Sequence, residues 1–170
     1  MRQVVAFAAL ALLLAACNSS VKPQDLDLAA QQDHNRNFRA HLSGDEEVPP
    51  ADTRAQGQAI FQLSADGTEL SFKLIVANIE NVTMAHIHQG ARGVNGPVVA
   101  WLYPDGPPPQ LIAGRFNGVL AEGALGEAAL VGPLAGERFE ALIELIRDGE
   151  AYVNVHTQQF PAGEVRGQIE

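Results

Sequence analysis

Three of the five histidines lie in two short runs far apart in the chain, VTMAHIHQG (Val82 to Gly90) and YVNVHTQQFPAGEVRGQI (Tyr152 to Ile169). Side chains on a strand alternate faces with a period of two. On strands, His86 and His88 therefore point the same way, and His156 shares a face with Tyr152 and Asn154. If the two strands lie side by side or face to face, three imidazoles converge. Imidazole is the commonest protein ligand for zinc and copper, and no other residues here have comparable ligand spacing. The chemistry open to such a set is a copper or zinc site on His86, His88 and His156, with water or a carboxylate in the fourth position, although hydrogen-bonded scaffolding is the favoured reading. Glu46, Glu47 and Glu164 are the carboxylate candidates. The competing reading gives each histidine its own loop to pin, because buried polar side chains must be hydrogen-bonded. His86 would then hold the glycine-rich loop that follows it, while Asn154, His156 and Thr157 tie down the turn at Pro161.

Other patterns carry less. The loop Gln89 to Gly96 has glycines at 90, 93 and 96, but it leads into another strand-like run. No helix N-terminus is available there to hold a pyrophosphate, and the segment reads as a tight polar loop. Glu164 and Arg166 share a strand face and read as a structural ion pair or as the anchor of a turn. Trp101 and Tyr103 alternate on one face and read as packing. There is no GxSxG elbow, no phosphate-cradling GK[ST] loop and no HExxH helix, so no catalytic residue is assigned.

From Phe38 onward, short alternating runs separated by glycine and proline indicate an all-β domain. Phe38, Ala40 and Leu42 mark a first strand, and Pro49 and Pro50 interrupt the polar loop after it. Ala59, Phe61 and Leu63 followed by Leu70, Phe72, Leu74 and Val76 form a hairpin across the turn at Asp66 and Gly67. Pro107, Pro108 and Pro109 make a rigid surface connection, and Gly114 to Leu120 is a further strand candidate. Phe139, Leu142, Ile143 and Ile146 recur at helical spacing, which predicts one short helix over Glu137 to Arg147 with Gly149 just past its end. The final strands are Ala151 to Thr157 and Glu164 to Ile169.

The N-terminus reads as an export signal. Arg2 precedes an apolar run, Val4 to Leu14, too short to span a bilayer, and Leu14, Ala15, Ala16, Cys17 form a lipoprotein-type cleavage box. The expected domain plan is a signal peptide over 1–16, a lipidated Cys17 with a flexible tether over 17–37 that includes a solvated His34, and a folded domain over 38–170. Cys17 is the only cysteine, so no internal disulfide forms despite an oxidising compartment. A net charge of −9 without clustered Lys or Arg argues against nucleic acid as a partner. The expected partner is a membrane, through the lipid, at the cell envelope facing the periplasm or the exterior. A protein or small-molecule partner is not specified by the sequence.

LSGDEEVPP (Leu42 to Pro50), the strand at Gly57, AHIHQGARGVNGPVV (Ala85 to Val99) and DGEAYVNVHTQQFPAGEVRGQI (Asp148 to Ile169) resemble the CHRD domain, a module named after chordin and found in bacterial secreted proteins. The resemblance implies an immunoglobulin-like or superoxide-dismutase-like β-sandwich, here with one short helix near the C-terminus, and leaves the activity open. A dismutase-type copper and zinc pair is disfavoured, because no histidine between His88 and His156 can bridge two metals; His41 is the one candidate to complete a copper-only site. The resulting expectation is a lipid-anchored extracytoplasmic binding or structural module with copper or zinc as candidate cofactor. The alternative is a copper- or zinc-dependent enzyme using the three histidines.

Overall fold

The computed structural model describes residues 36–170. The expected signal peptide, Cys17, His34 and nearly all of the expected tether lie outside the described residues. Alternation in the sequence becomes alternation in burial. β1 (Asn37–Ser43) buries Phe38, Ala40 and Leu42, and β2 (Gln56–Leu63) buries Ala59, Phe61 and Leu63 while exposing Gln58, Ile60 and Gln62. Then come β3 (Leu70–Gln89), β4 (Val98–Tyr103), β5 (Ile112–Leu125), β6 (Ala151–Thr157) and β7 (Val165–Gln168). The expected β2–β3 hairpin is present, its turn closed by Asp66 Oδ1, which accepts from Ser64 Oγ and Thr68 Oγ1.

The strands run β2-β1-β7-β6-β3-β4, and β2 also pairs with β3. That extra ladder closes β1, β2, β3, β6 and β7 into a five-stranded barrel, with β4 and β5 added along β3. The all-β class and the single short helix are as expected, whereas the expected two-sheet sandwich gives way to this closed ring. The cause is β3. Its first half pairs with β2 and its second half with β6, so one strand belongs to what would have been both sheets. The sequence suggested two separate runs, Leu70 to Val76 and Val82 to His88, with residues 77–81 between them. Instead the chain bends there and continues, with Asn78 and Asn81 at φ 57° and 54°, a conformation asparagine tolerates better than most side chains. Asn81 Oδ1 accepts the Gly114 N–H and Asn117 Oδ1 accepts that of Asn78, each at 2.8 Å, which holds the bulged corner in place.

The barrel closes at the β1–β7 seam, where Arg39 and Glu170 exchange backbone hydrogen bonds at 2.8 Å. Gly167 is needed there, since a Cβ at that position would lie 2.2 Å from the His41 carbonyl oxygen. Gly167→Ala should lower the unfolding free energy by about 3 kcal/mol, because backbone on backbone cannot relax as a side chain would. Denaturant titration should show a lower midpoint at unchanged slope. The helix, α1 (Glu140–Arg147), buries Leu142, Ile143 and Ile146 and ends at Gly149, φ 71°. It starts later than the predicted Glu137, but Phe139 just ahead of it is buried as the stripe requires.

Candidate metal centre

β6 is buried along its whole length, because each of its faces is covered. On one face Val153 and Val155, with Ala85 and Ile87 of β3, enter the apolar core. On the other, β3, β6 and β7 carry a polar layer. Its rows follow from register: His88 lies opposite Tyr152 and that opposite Gln168, His86 opposite Asn154 and that opposite Arg166, and His156 opposite Met84. Two loops cover the layer. The segment 44–55 brings Glu47 onto Asn154, and the segment 90–97 brings Asn95 onto Arg166 and Gly96 onto Tyr152.

Within this layer the three expected histidines meet. One ligand atom from each of His86, His88 and His156 lies within 4.8 Å of the others, and all three residues are buried. His86 Nδ1 is 3.2 Å from His156 Nε2. Hydrogen bonds set the tautomers of two rings. His88 Nδ1 is 2.9 Å from the Gly96 carbonyl and His156 Nδ1 is 3.1 Å from the Pro161 carbonyl. Carbonyls only accept, so both Nδ1 atoms carry the proton and both Nε2 atoms present lone pairs. This is the arrangement in which a metal-ligating histidine is usually held, by its other ring N–H on a backbone oxygen. His86 then donates from Nδ1 to His156 when no ion is present. The Nε2 atoms of His86 and His88 are buried without a hydrogen-bond partner.

Burial holds all three rings neutral. It pushes the His86 pKa down to about 3 and that of His156 to about 4, with the other two imidazoles adding to the effect on His86 and the His88 ring adding to it on His156. His88 is lowered as well, first by burial and then by the positive charge of Arg166, against the raising effect of its bond to Gly96. Neutral imidazole is the form that binds metal.

The surrounding shell fixes the rings. Tyr152 stacks on His88 with centroids 4.9 Å apart, Arg166 Cζ lies 3.5 Å above the other side of the tyrosine, and Trp101 meets the His86 ring nearly perpendicular at 4.3 Å. Arg166 grips the 90–97 loop through Ala91 O, Val94 O and Asn95 Oδ1. That loop turns tightly at Gly96, where a Cβ would lie 1.7 Å from the Gln89 carbonyl oxygen. Of the two readings of Glu164 and Arg166 the ion pair is not formed, while the anchoring of a turn is what Arg166 does. Glu164 lies just before β7 and accepts from Thr53 Oγ1 at 2.7 Å, while Arg166 points into the loop.

No carboxylate joins the three histidines among the described residues. Glu46 pairs with Arg92 at the rim, Glu164 is held by Thr53, and Glu47 accepts from Asn154 Nδ2 at 3.0 and 3.1 Å. Burial pushes the Glu47 pKa up to about 7, opposed by Asn154 and by the charge of Arg166. His41 is on the exposed face of β1, away from the cluster, and cannot complete it. Sequence reasoning missed the parts played by Tyr152, Asn154 and Arg166 as a connected shell. The signal was present in their period-two spacing on the histidine face, but their partners come from loops with no periodicity.

Residues 38–169 match the CHRD domain. The chain belongs to the CHRD domain family. The match covers the barrel from the second residue of β1 and includes His86, His88 and His156 of this CHRD domain. No curated protein and no solved structure gives a significant match. Two open clefts on this CHRD domain, of about 480 and 490 Å³, lie beside Arg39 and His41 and beside Arg54 and Arg115. Neither is lined by the three histidines.

Proposed function

We propose that this CHRD domain is a metal-binding module of the cell envelope, anchored through lipid on Cys17, in which His86, His88 and His156 hold one copper or zinc ion. The observation that carries the reading is the set of converging, neutral imidazoles with buried nitrogens that nothing in the protein satisfies. Scaffolding alone accounts for the Nδ1 atoms of His88 and His156. It does not account for two buried Nε2 lone pairs, each of which costs about 1–3 kcal/mol when left without a partner. An ion held by the three rings would take up such lone pairs in exchange for the His86–His156 hydrogen bond. The anchor rests on the residues Met1 to Cys17 alone.

Binding is favoured over turnover. The two clefts noted above open away from the histidines, so neither would bring an organic substrate to the ion. Dismutase-type pairing of two metals lacks a bridging histidine, and His41 lies on the far side of β1. The test is a metal titration of full-length chain purified in detergent without a histidine tag, competed against chromophoric chelators. One equivalent should bind to the wild type and none to the His86→Ala, His88→Ala, His156→Ala triple variant. Equal weak binding to both proteins would contradict the proposal.

A further inference from the structure

We propose that the three-histidine centre selects by charge, holding Cu(I) in preference to Cu(II) and Zn(II). This deepens the metal-binding reading and rests on it. The donor set is the first reason. Among the described residues the cluster consists of three neutral rings, with no carboxylate or thiolate in it, so the charge of a bound ion is left uncompensated in a buried place. The solvation cost of burying an ion rises with the square of its charge, which makes a divalent ion about four times as costly as a monovalent one. Coordination number points the same way. Zinc is almost always four-coordinate, whereas Cu(I) is satisfied by three nitrogens in a plane.

Arg166 supplies the second reason. It is 1 % exposed, and its hydrogen bonds go to neutral acceptors: Asn95 Oδ1, Ala91 O and Val94 O. Its guanidinium is stacked 3.5 Å from the centre of the Tyr152 ring, which is in turn 4.9 Å from the centre of the His88 ring. A permanent positive charge thus sits one aromatic ring away from a ligand. With an effective dielectric of about 20 and a separation of about 10 Å, such a charge disfavours each added positive charge at the ion by about tenfold. Two carboxylates oppose it. Glu47 bonds Asn154 and is drawn toward its neutral form by burial, while Glu164 bonds Thr53 and lines the open cleft beside Arg54 and Arg115. Neither is a member of the histidine cluster.

Reduction adds one electron to the ion and breaks no covalent bond, so the preference can be read as a potential. Full-length, tag-free protein in detergent is loaded with copper and titrated anaerobically with an enediol reductant through mediators. The affinities for Cu(I), Cu(II) and Zn(II) are measured in parallel by chelator competition. The bound couple should be more positive than the aqueous one by a factor of about ten or more in the Cu(I) to Cu(II) affinity ratio, or about 59 mV for one electron. Arg166→Met should lower that ratio about tenfold, and Arg166→Lys, which keeps the charge but loses the fork and the stack, should retain it. Should neither Arg166 variant fold, Glu47→Gln at about pH 8.5 removes a negative charge and should raise the ratio. A bound couple at or below the aqueous potential, or a ratio indifferent to these charges, overturns the charge selection while leaving the metal site standing. Absence of binding by every ion overturns the three-histidine reading itself.

Discussion

Free copper or zinc in about thousandfold excess over its dissociation constant should raise the unfolding free energy of the wild-type domain by about 4 kcal/mol, and the triple alanine variant should gain nothing. The gain follows from linkage, because the ion binds a site assembled from β3 and β6 that the unfolded chain does not possess. Single variants separate the ion from the scaffold. Without metal, His88→Ala and His156→Ala should each cost about 2 kcal/mol, since the Gly96 and Pro161 carbonyls lose their donors. His86→Ala should cost no more than these, because it removes the Nδ1 bond to His156 but also an Nε2 that is buried without a partner. With metal all three should be damaging, since each removes one ligand. Thermal and denaturant unfolding with and without added ion read both orders. Equal stabilisation of wild type and triple variant would place the ion elsewhere.

Acid should weaken the metal-free domain through the histidines. Their folded pKa values lie below the unfolded value of 6.5, at about 3 for His86 and about 4 for His156. The unfolded chain therefore binds protons that the folded one refuses, and stability falls as pH drops from about 6.5 toward 4. Glu47 acts in the opposite sense. Its folded value of about 7 is above the unfolded 4.5, so its contribution is full below 4.5 and is lost as pH rises through 7. Between 4.5 and 6.5 the two slopes partly cancel, and below 4.5 the histidines act alone. The steepest loss should come there. Glu47→Gln should remove the upper slope and leave the lower one, with its largest relative benefit above pH 7. The same depressed values mean that protons compete poorly with a bound ion. Copper or zinc should stay on the protein at pH 5, where free histidine is already largely protonated. Urea titrations across this range, with metal retained after gel filtration, measure both effects. Metal loss centred near 6.5 would show the rings to be solvated.

The sequence reveals the centre more readily than the frame. Period-two spacing put His86 and His88 on one face and His156 beside Asn154, and two strands pairing through Val82↔Thr157 to Gln89↔Ala151 make those faces one. What could not be read was closure. Asn78 and Asn81 look like the end of a strand, and only the tertiary pairing with β5 turns them into a corner. The shell is hidden for a similar reason. Arg166 two residues from Glu164 suggests an ion pair, yet its partners are carbonyls of a loop 72 and 75 residues away in the chain, chosen by the fold rather than by charge. Gly96 illustrates the same limit, since its tight approach to Gln89 is invisible in a GxxGxxG spacing.

X-ray absorption at the metal edge of the loaded, full-length protein tests the central claim most directly. The claim that His86, His88 and His156 hold one ion requires a first shell of nitrogen scatterers at about 2.0 Å with the outer-shell pattern of three imidazoles. That signal should disappear in the triple alanine variant. A first shell of oxygen alone, or a three-imidazole pattern that survives in the variant, contradicts it.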